Sequence, residues 1–533
     1  MAITPNTNLR LLKVPIEIDS KNQLNFANRQ AQLDYFKSLP YIEIDNISYQ
    51  RKDNIIRYPS HIDYIINYNY VMYQNTNYSD QWFYAFITKM EYINDYMTEI
   101  TIKTDVFQTW QFDIVYNKMF VEREHVNNDT IGLHTVPEGL ETGEYVVNNI
   151  NTCQSLTETP KFILATTIDP VLDNTGKLTG GNIGGGKYGG IKSGYKYFAF
   201  ETGTQTLSNV LKAFEDAGKS DAIGMLFLAP KSLFNYEGNG TQIDNVGVAD
   251  SSQNITTTWA GITGTPLQRL TSLNGYTPKN KKLLTFPYCF MKLTNNNGGN
   301  AVYKYEYWNS SDGNPEIAIH GTICPGMSIK AVPLEYKGVN ENFNEALTGA
   351  KFPICGWNTD VYTNWLTQNG VNIGLSLATG IGEIAGGITG LALGNPVGIT
   401  AVGGGLGGIT NTLAEVHQKS FASPQAEGNV NSGDVSYGEG TCTFSAYAMS
   451  IKSEFAKIID DYFSMFGYKV NTLKVPNING RQNWNYVKTI DCNIHAYIPQ
   501  EDVQELKDMF NSGITIWHNP NTFLDYSQDN SII

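Results

Sequence analysis

Cysteine is scarce in this sequence and badly spaced for chemistry. The six residues Cys153, Cys289, Cys324, Cys355, Cys442 and Cys492 lie far apart with no CxxC pair, which argues against a zinc module or a disulfide scaffold and leaves buried thiols as the expectation. Histidine is equally thin. The seven positions 61, 125, 134, 320, 417, 495 and 518 show no HExxH or HxH spacing and no cysteine partner, so no metal site is expected. Basic charge is in deficit, with 37 Lys and Arg against 51 Asp and Glu and a net charge of −14. That balance lacks the electropositive footprint of a nucleic-acid binder. It suits a surface that DNA passes without sticking, and ordinary solubility equally well. The opening residues MAITPNTNLRLLKVPIEI have no apolar core of signal-peptide type, so the Sec route is not expected. No GxSxG elbow occurs; no catalytic residue and no cofactor are expected, although the carboxylate pair of a glycan hydrolase is set by space rather than by sequence.

What the sequence does have is an uncharged stretch. Between Asp360 and Glu415 the only charged side chain is Glu383, and residues 370–409 read GVNIGLSLATGIGEIAGGITGLALGNPVGITAVGGGLGGI. Small residues fall at every fourth position (Gly370, Gly374, Ala378, Gly382, Gly386, Gly390, Gly394, Gly398), while Ile373, Leu377, Ile381, Ile384, Ile388 and Leu391 recur at three or four. Wound as a helix, this carries an apolar ridge beside a groove of bare backbone, the spacing that lets helices pack closely in lipid. Leu375 and Leu393 add to the apolar surface, and after Gly394-Asn395-Pro396 interrupts the run, Val397, Ile399, Val402, Leu406 and Ile409 continue it. Each half approaches the ~20 residues needed to span a hydrocarbon core. In water each interior glycine costs about 1 kcal/mol of helix stability. The segment therefore reads as conditional, sheltered by protein in one state and membrane-inserted in another. A permanently buried hairpin and a permanent anchor are the alternatives.

The rest of the chain looks like a soluble, strand-rich protein. Ile42 and Ile44 alternate with Glu43 and Asp45, and Ile100, Ile102, Thr104 and Val106 alternate with Thr101, Lys103 and Asp105, the period of half-buried strands. A short helix is predicted over 29–39, ended by Pro40. The aromatic run Trp82-Phe83-Tyr84-Ala85-Phe86 reads as cross-strand packing, with a glycan or partner face as the alternative. Further on, Phe162-Ile163-Leu164-Ala165 and Ile223–Ala229 read as buried strands around a helix over 205–217 closed by Gly218. The glycine cluster 180–189 is a surface loop: as a P-loop it places Tyr188 where a Ser or Thr must reach magnesium, and as GxGxxG it lacks the opening strand and helix. Tyr303, Tyr305 and Tyr307 alternate toward a turn and a return strand at Ile317 and Ile319, a predicted hairpin. Ile451, Phe455, Ile458, Ile459, Tyr462, Phe463 and Phe466 form a helical stripe stopped by Gly467, read as core or subunit interface. A last helix over 501–510 precedes a strand at Ile514–Trp517. The cluster Arg123-Glu124-His125, with no nucleophile beside it, reads as a buried charge network tying a strand end.

Several words of this sequence are familiar as a set. Trp82-Phe83-Tyr84-Ala85-Phe86, Asp105-Val106-Phe107-Gln108-Thr109-Trp110 with Phe112-Asp113-Ile114, Arg123-Glu124-His125-Val126 and Glu138-Gly139-Leu140 occur in order. They are followed near the end by Gly467-Tyr468-Lys469-Val470, Asn485-Tyr486-Val487-Lys488-Thr489 with Asp491-Cys492, and Gly513-Ile514-Thr515-Ile516-Trp517-His518. Together they resemble the tail-knob (distal tail tube) proteins of small short-tailed phages of the Picovirinae type, over roughly the first 150 and last 90 residues.

The resemblance implies a virion protein at the tail tip whose shared end segments build the wall of a hexameric tube. It also implies contact with other tail proteins on the collar side, phage DNA passing through the lumen without sequence-specific binding, and apolar loops that plug the lumen before entering the host cytoplasmic membrane. The expected fold class is α+β, mostly β. Residues 1–155 and 431–533 would form one discontinuous tube domain, 156–345 an inserted α+β region, and 346–430 the apolar loop with its flanks. Ile373, Leu375, Leu377, Ile381, Ile384, Ile388, Leu391, Leu393, Val397, Ile399, Val402, Leu406 and Ile409 are the candidate membrane-inserting residues. Gly382, Gly386, Gly390, Gly394 and Gly398 are the candidate close-packing positions, and Glu383 the candidate pH-sensitive charge. A freestanding pore-forming toxin and a glycan-binding or wall-hydrolysing spike are the rival readings.

Overall fold

The computed structural model describes residues 6–49, 54–77, 79–154, 161–168, 178, 186–188, 191–193, 196–201, 204–219, 222–229, 235–243, 246–252, 254–309, 313–322, 328–351 and 441–533. Strands dominate the described elements, with fewer helices, the mostly-β mixture that the period-two patterns call for. Packing divides the chain into two compact units. The first comprises residues 1–141, 278–283 and 454–533, the second 142–277 and 284–453.

The first unit opens with β1 (Thr7–Leu12), β2 (Asn22–Leu24), helix α1 (Arg29–Ser38), β3 (Tyr41–Ile47), β4 (Ile55–Tyr58), α2 (Ile62–Ile65), β5 (Tyr70–Asn75), β6 (Phe83–Asn94), β7 (Met97–Thr104), α3 (Val106–Trp110), β8 (Val115–Tyr116) and β9 (Met119–Glu124). Asn28 caps α1 by accepting from the Ala31 amide at 2.9 Å, and Pro40 follows its end, as the sequence signals require. Six of these strands form one sheet in the order β3-β1-β5-β6-β7-β4. Its middle is buried on both faces. Leu9, Leu11, Val71, Tyr73, Phe83 and Ala85 join one cluster, while Leu12, Tyr70, Met72, Tyr84, Phe86 and Phe36 join the other. The aromatic run is therefore packing: Tyr84 lies 4.6 Å from Phe36 and Phe83 lies 5.4 Å from Tyr73, ring centre to ring centre.

The second sheet of this unit mixes the two ends of the chain. Its order is β2, Ile514–Trp517, Trp484–Ile490, β9, Tyr468–Lys474, so that two early strands are interleaved among three late ones. β2 runs parallel to Ile514–Trp517, and β9 lies antiparallel between Trp484–Ile490 and Tyr468–Lys474. Helix Gln500–Ser512 covers this core with Val503, Leu506, Met509 and Phe510.

In the second unit, Lys161–Thr166 is buried along its whole length between Lys196–Glu201 and Ile223–Ala229, with helix Thr204–Asp216 between them in sequence. A separate sheet runs Tyr145–Gln154, Thr441–Ile451, Cys289–Thr294, Asn300–Tyr303. Because Tyr145–Gln154 pairs with Thr441–Ile451, it belongs to the second unit, and the boundary falls at residue 141 rather than at 155.

Four expectations are corrected. β7 stops at Thr104 because the Asp105 carboxylate accepts from the Gln108 amide at 3.1 Å and starts α3, so Val106 is helical. The hairpin expected from Tyr303, Tyr305 and Tyr307 is instead the end of one strand followed by a 3-10 turn, Tyr305–Tyr307. Three residues alternating cannot distinguish a pleat from a tight turn, and the aromatic cage of Trp308 and Tyr336, rings 4.8 Å apart, favours the turn. The return strand Glu316–Thr322 pairs with Asn254–Thr258 and Ser328–Tyr336. Ile451 ends a strand, and helix Ser453–Phe466 buries Ala456, Ile459, Asp460 and Phe463 while Ile458 faces solvent. In the glycine cluster, Gly186–Tyr188 pairs with Ile191–Ser193 as a small hairpin, so no helix follows it to cradle a phosphate.

Candidate functional site

The apolar stretch 370–409, with Glu383 and its glycine row, lies outside the described residues, as do all of the candidate inserting positions from Ile373 to Ile409. What the structure describes are its roots. The chain leaves from Leu347–Lys351, where Lys351 is in register with Ser328 of the neighbouring strand. It returns as Thr441–Ile451, an interior strand held on one side by Tyr145–Gln154 and on the other by Cys289–Thr294. Both ends of the intervening segment are thus sheet-bound within one unit. No described helix is long and apolar enough to cross a membrane.

The second candidate is the seam between early and late segments, where the residues of the end motifs converge. α3 is a buried five-residue plug. Phe107 fills the core, and the Gln108 amide donates to Gln23 Oε1 at 3.0 Å and to the Leu24 carbonyl at 2.8 Å. Gln32 in turn donates to the Gln108 carbonyl at 2.7 Å. The Thr109 hydroxyl donates to the Tyr84 carbonyl at 3.2 Å, and the Trp110 indole donates to Asp502 at 2.8 Å. Burial raises the Asp105 carboxyl to about 6, opposed by the hydrogen bonds it accepts from Gln108 and Tyr70.

Arg123-Glu124-His125 forms the charge network that its sequence suggests. Arg123 donates to the Gly467 carbonyl at 2.8 Å and pairs with Glu138, which also holds Lys282. Glu124 is fully buried, paired with Lys474 and accepting the Asn477 amide at 2.8 Å. His125 Nδ1 accepts the Tyr486 amide at 2.8 Å, which leaves the proton on Nε2, 3.1 Å from the Ser464 carbonyl. Burial, with Arg481 nearby, pushes this imidazole down to about 3. Gly467 sits at φ +64°, and a Cβ there would overlap the Glu124 carbonyl, so the motif glycine is required by close approach.

Two hubs escaped the sequence reading. Asp460 accepts the Lys279 and Asn280 amides at 2.7 and 3.0 Å, fastening residues 278–283 to helix Ser453–Phe466. Its signal was present, since Asp460 shares the buried helix face with Ala456 and Phe463. Glu138 was visible only as part of a motif; its role needed three distant cations or amides, from Arg123, Lys282 and Lys469.

Within the same unit a cleft of about 590 Å³ is lined by Phe466, Tyr486 and Tyr526 together with Asp19, Glu505 and Asp508. Glu505 is tied to Lys103 at 2.7 Å and Asp508 accepts from Gln504 at 2.9 Å. Among the described residues no group of three or more His, Cys, Asp or Glu side chains is placed to hold a metal ion. The charged groups Arg123, Glu124, Glu138 and Asp460 of the seam are held by partners from other segments of the same unit.

Comparison with known proteins places these features. Residues 234–531 match the family described as Bacillus phage phi29, Tail knob protein gp9, C-terminal domain, and residues 5–117 match the caudoviral major tail protein N-terminus. The tail knob proteins gp9 of Bacillus phages B103 and phi29 are each 26% identical to this chain over 100% of both chains. The solved structure of the bacteriophage C1 tail knob protein, gp12, superposes with a TM-score of 0.68 at 16% identity, covering 99% of this chain and 100% of that one. The likeness carried by the end motifs thus extends over the full length, middle included, and the chain belongs to the tail knob protein gp9 family.

Proposed function

We propose that this structural tail protein forms the wall of a tube at the tail tip as a ring of six copies, and that the stretch 370–409 from each copy closes the lumen before infection. On release the stretches enter the host cytoplasmic membrane and open a path for the genome. The observation that supports the reading most is the sheet-bound root: the glycine-rich stretch, whose one charged side chain between Asp360 and Glu415 is Glu383, is bounded in sequence by strands that are paired at Lys351 and Thr441. Such a segment can change its surroundings without unfolding what holds it.

The energetics favour two homes. In a ring the apolar ridges of six copies bury one another incompletely, whereas lipid removes the remaining area from water at about 25 cal/mol per Å² and a helix satisfies its own backbone there. Glu383 opposes insertion while charged, by about 2.5 to 3.5 kcal/mol at mid-membrane, so it sits near the interface, faces the pore or is protonated. The −14 net charge lets DNA pass without adhesion. No catalytic step is part of this role.

Dye release from liposomes by the full chain, measured from acid to neutral pH beside a variant lacking residues 371–410, tests the membrane step. Release by the full chain, strongest at acid pH, and loss on deletion are expected. Silence from the full chain at every pH, or undiminished release after deletion, overturns it.

A further inference from the structure

Two exposed apolar patches stand out among the described residues of the first unit. One is a row across three adjacent strands: Ile490, Phe120 and Leu473 are direct cross-strand partners, Ile490 with Phe120 and Phe120 with Leu473. They are 53, 39 and 66% exposed, on the side of the sheet away from buried Val121 and Val487. Val475 extends the row beside Tyr468–Lys474, the outermost strand of its sheet. Aligned aliphatic and aromatic side chains in register, open to water, are the mark of a surface that is covered in the working assembly.

The other patch is the tip of the β6–β7 hairpin. β5 pairs with β6 only as far as Phe86, and from Lys89 onward the described pairing of β6 is with β7. This arm carries exposed Tyr92, Ile93 and Tyr96, the last 84% exposed. His61 stacks edge-on against both Tyr64 and Tyr92, at 6.2 and 5.4 Å, which joins exposed Tyr64 to the same patch.

The charges around the two patches are opposite. Asp63, Glu91 and Asp95 outnumber Lys89 around the tip, whereas Lys118, Lys469, Lys474 and Lys488 outnumber Glu122, Asp491 and the buried Glu124 around the row. Two unlike, complementary patches on one chain make a head-to-tail contact, which repeats from copy to copy and closes into a ring if the rotation allows. We propose that the hairpin tip of one copy, centred on Tyr96, seats on the Ile490–Phe120–Leu473 row of the next. This rests on the ring reading above and assigns the surface that joins its copies.

Disulfide trapping tests the contact. A Tyr96→Cys, Leu473→Cys double variant is oxidised with copper phenanthroline beside each single variant and the unsubstituted chain, then run on non-reducing gels. The double variant is expected to give a ladder of linked multimers that the singles and the parent do not. In parallel, Phe120→Glu, at an exposed site, is expected to keep its circular dichroism and to weaken self-association by at least about tenfold, because a charge would be buried at the contact. No ladder from a double variant that still forms rings by negative stain overturns the contact while leaving the ring reading intact, and means that another tail protein or another face covers the row. An unsubstituted chain that stays monomeric in sedimentation at all concentrations overturns both.

Discussion

The indole of Trp110 donates to the carboxylate of Asp502 at 2.8 Å, joining residues 392 positions apart inside the core of the first unit. Neither end of the chain can therefore complete this unit alone. Trp110→Phe keeps an aromatic ring in the core but removes the donor together with part of the indole's volume; a hydrogen bond to a charged group contributes about 1.5 to 3 kcal/mol. Loss of about 2 kcal/mol in urea unfolding, with little change in slope, is expected. Truncation before Trp484 removes two strands of the second sheet and is expected to abolish cooperative unfolding of the unit.

Gly467 and Gly139 separate close approach from backbone strain. Both have positive φ, +64° and +72°, but a Cβ at Gly467 meets the Glu124 carbonyl, whereas at Gly139 it meets nothing within 4 Å. Gly139→Ala is expected to cost about 1 kcal/mol, the strain alone. Gly467→Ala is expected to cost at least twice that or to prevent folding, read by thermal unfolding of the two variants side by side.

Asp105 makes stability depend on pH in an unusual direction for a carboxylate. Its folded value of about 6 lies above the 3.8 of the unfolded chain, so the native state holds the extra proton between those values. The neutral form's advantage is complete below pH 4 and is lost as pH rises to 6, on the order of 3 kcal/mol. Asp105→Asn is expected to remove this falling contribution. His125 works the other way. With a folded value of about 3 against 6.5 it costs stability as pH falls below 6.5, so the slope of the Asp105→Asn variant between pH 4 and 6 should turn more strongly positive than that of the parent. Unfolding free energies of both chains at half-unit intervals check the sign.

Glu383→Gln isolates the charge in the uncharged stretch. If the carboxylate restrains insertion, the amide variant is expected to release liposome dye at neutral pH at the level the parent reaches only in acid. Equal release profiles for the two chains would remove Glu383 from the mechanism.

Local patterns were read well where a residue's fate depends on its neighbours in sequence. Helix α1 ends just before Pro40, Gly218 with φ +65° closes helix Thr204–Asp216, and Phe162–Ala165 is as buried as its unbroken apolar run implies. Patterns of three or four residues misled where tertiary contacts decided: Tyr305 and Tyr307 turn after the strand that Tyr303 ends, where Trp308 and Tyr336 pack against them, and Asp105 ends a strand that the alternation would have extended.

Family and fold class were thus written in the sequence, as were the segment apart in composition and the glycines that close helices, because composition, periodicity and short motifs are properties of neighbouring residues. The interleaving of early and late strands, the gathering of Arg123, Lys282 and Lys469 on Glu138, and the alignment of Ile490, Phe120 and Leu473 were decided only in three dimensions. Strand order and charge pairing join residues hundreds of positions apart, and the free energy that selects one such arrangement comes from burying them together, which no local pattern encodes.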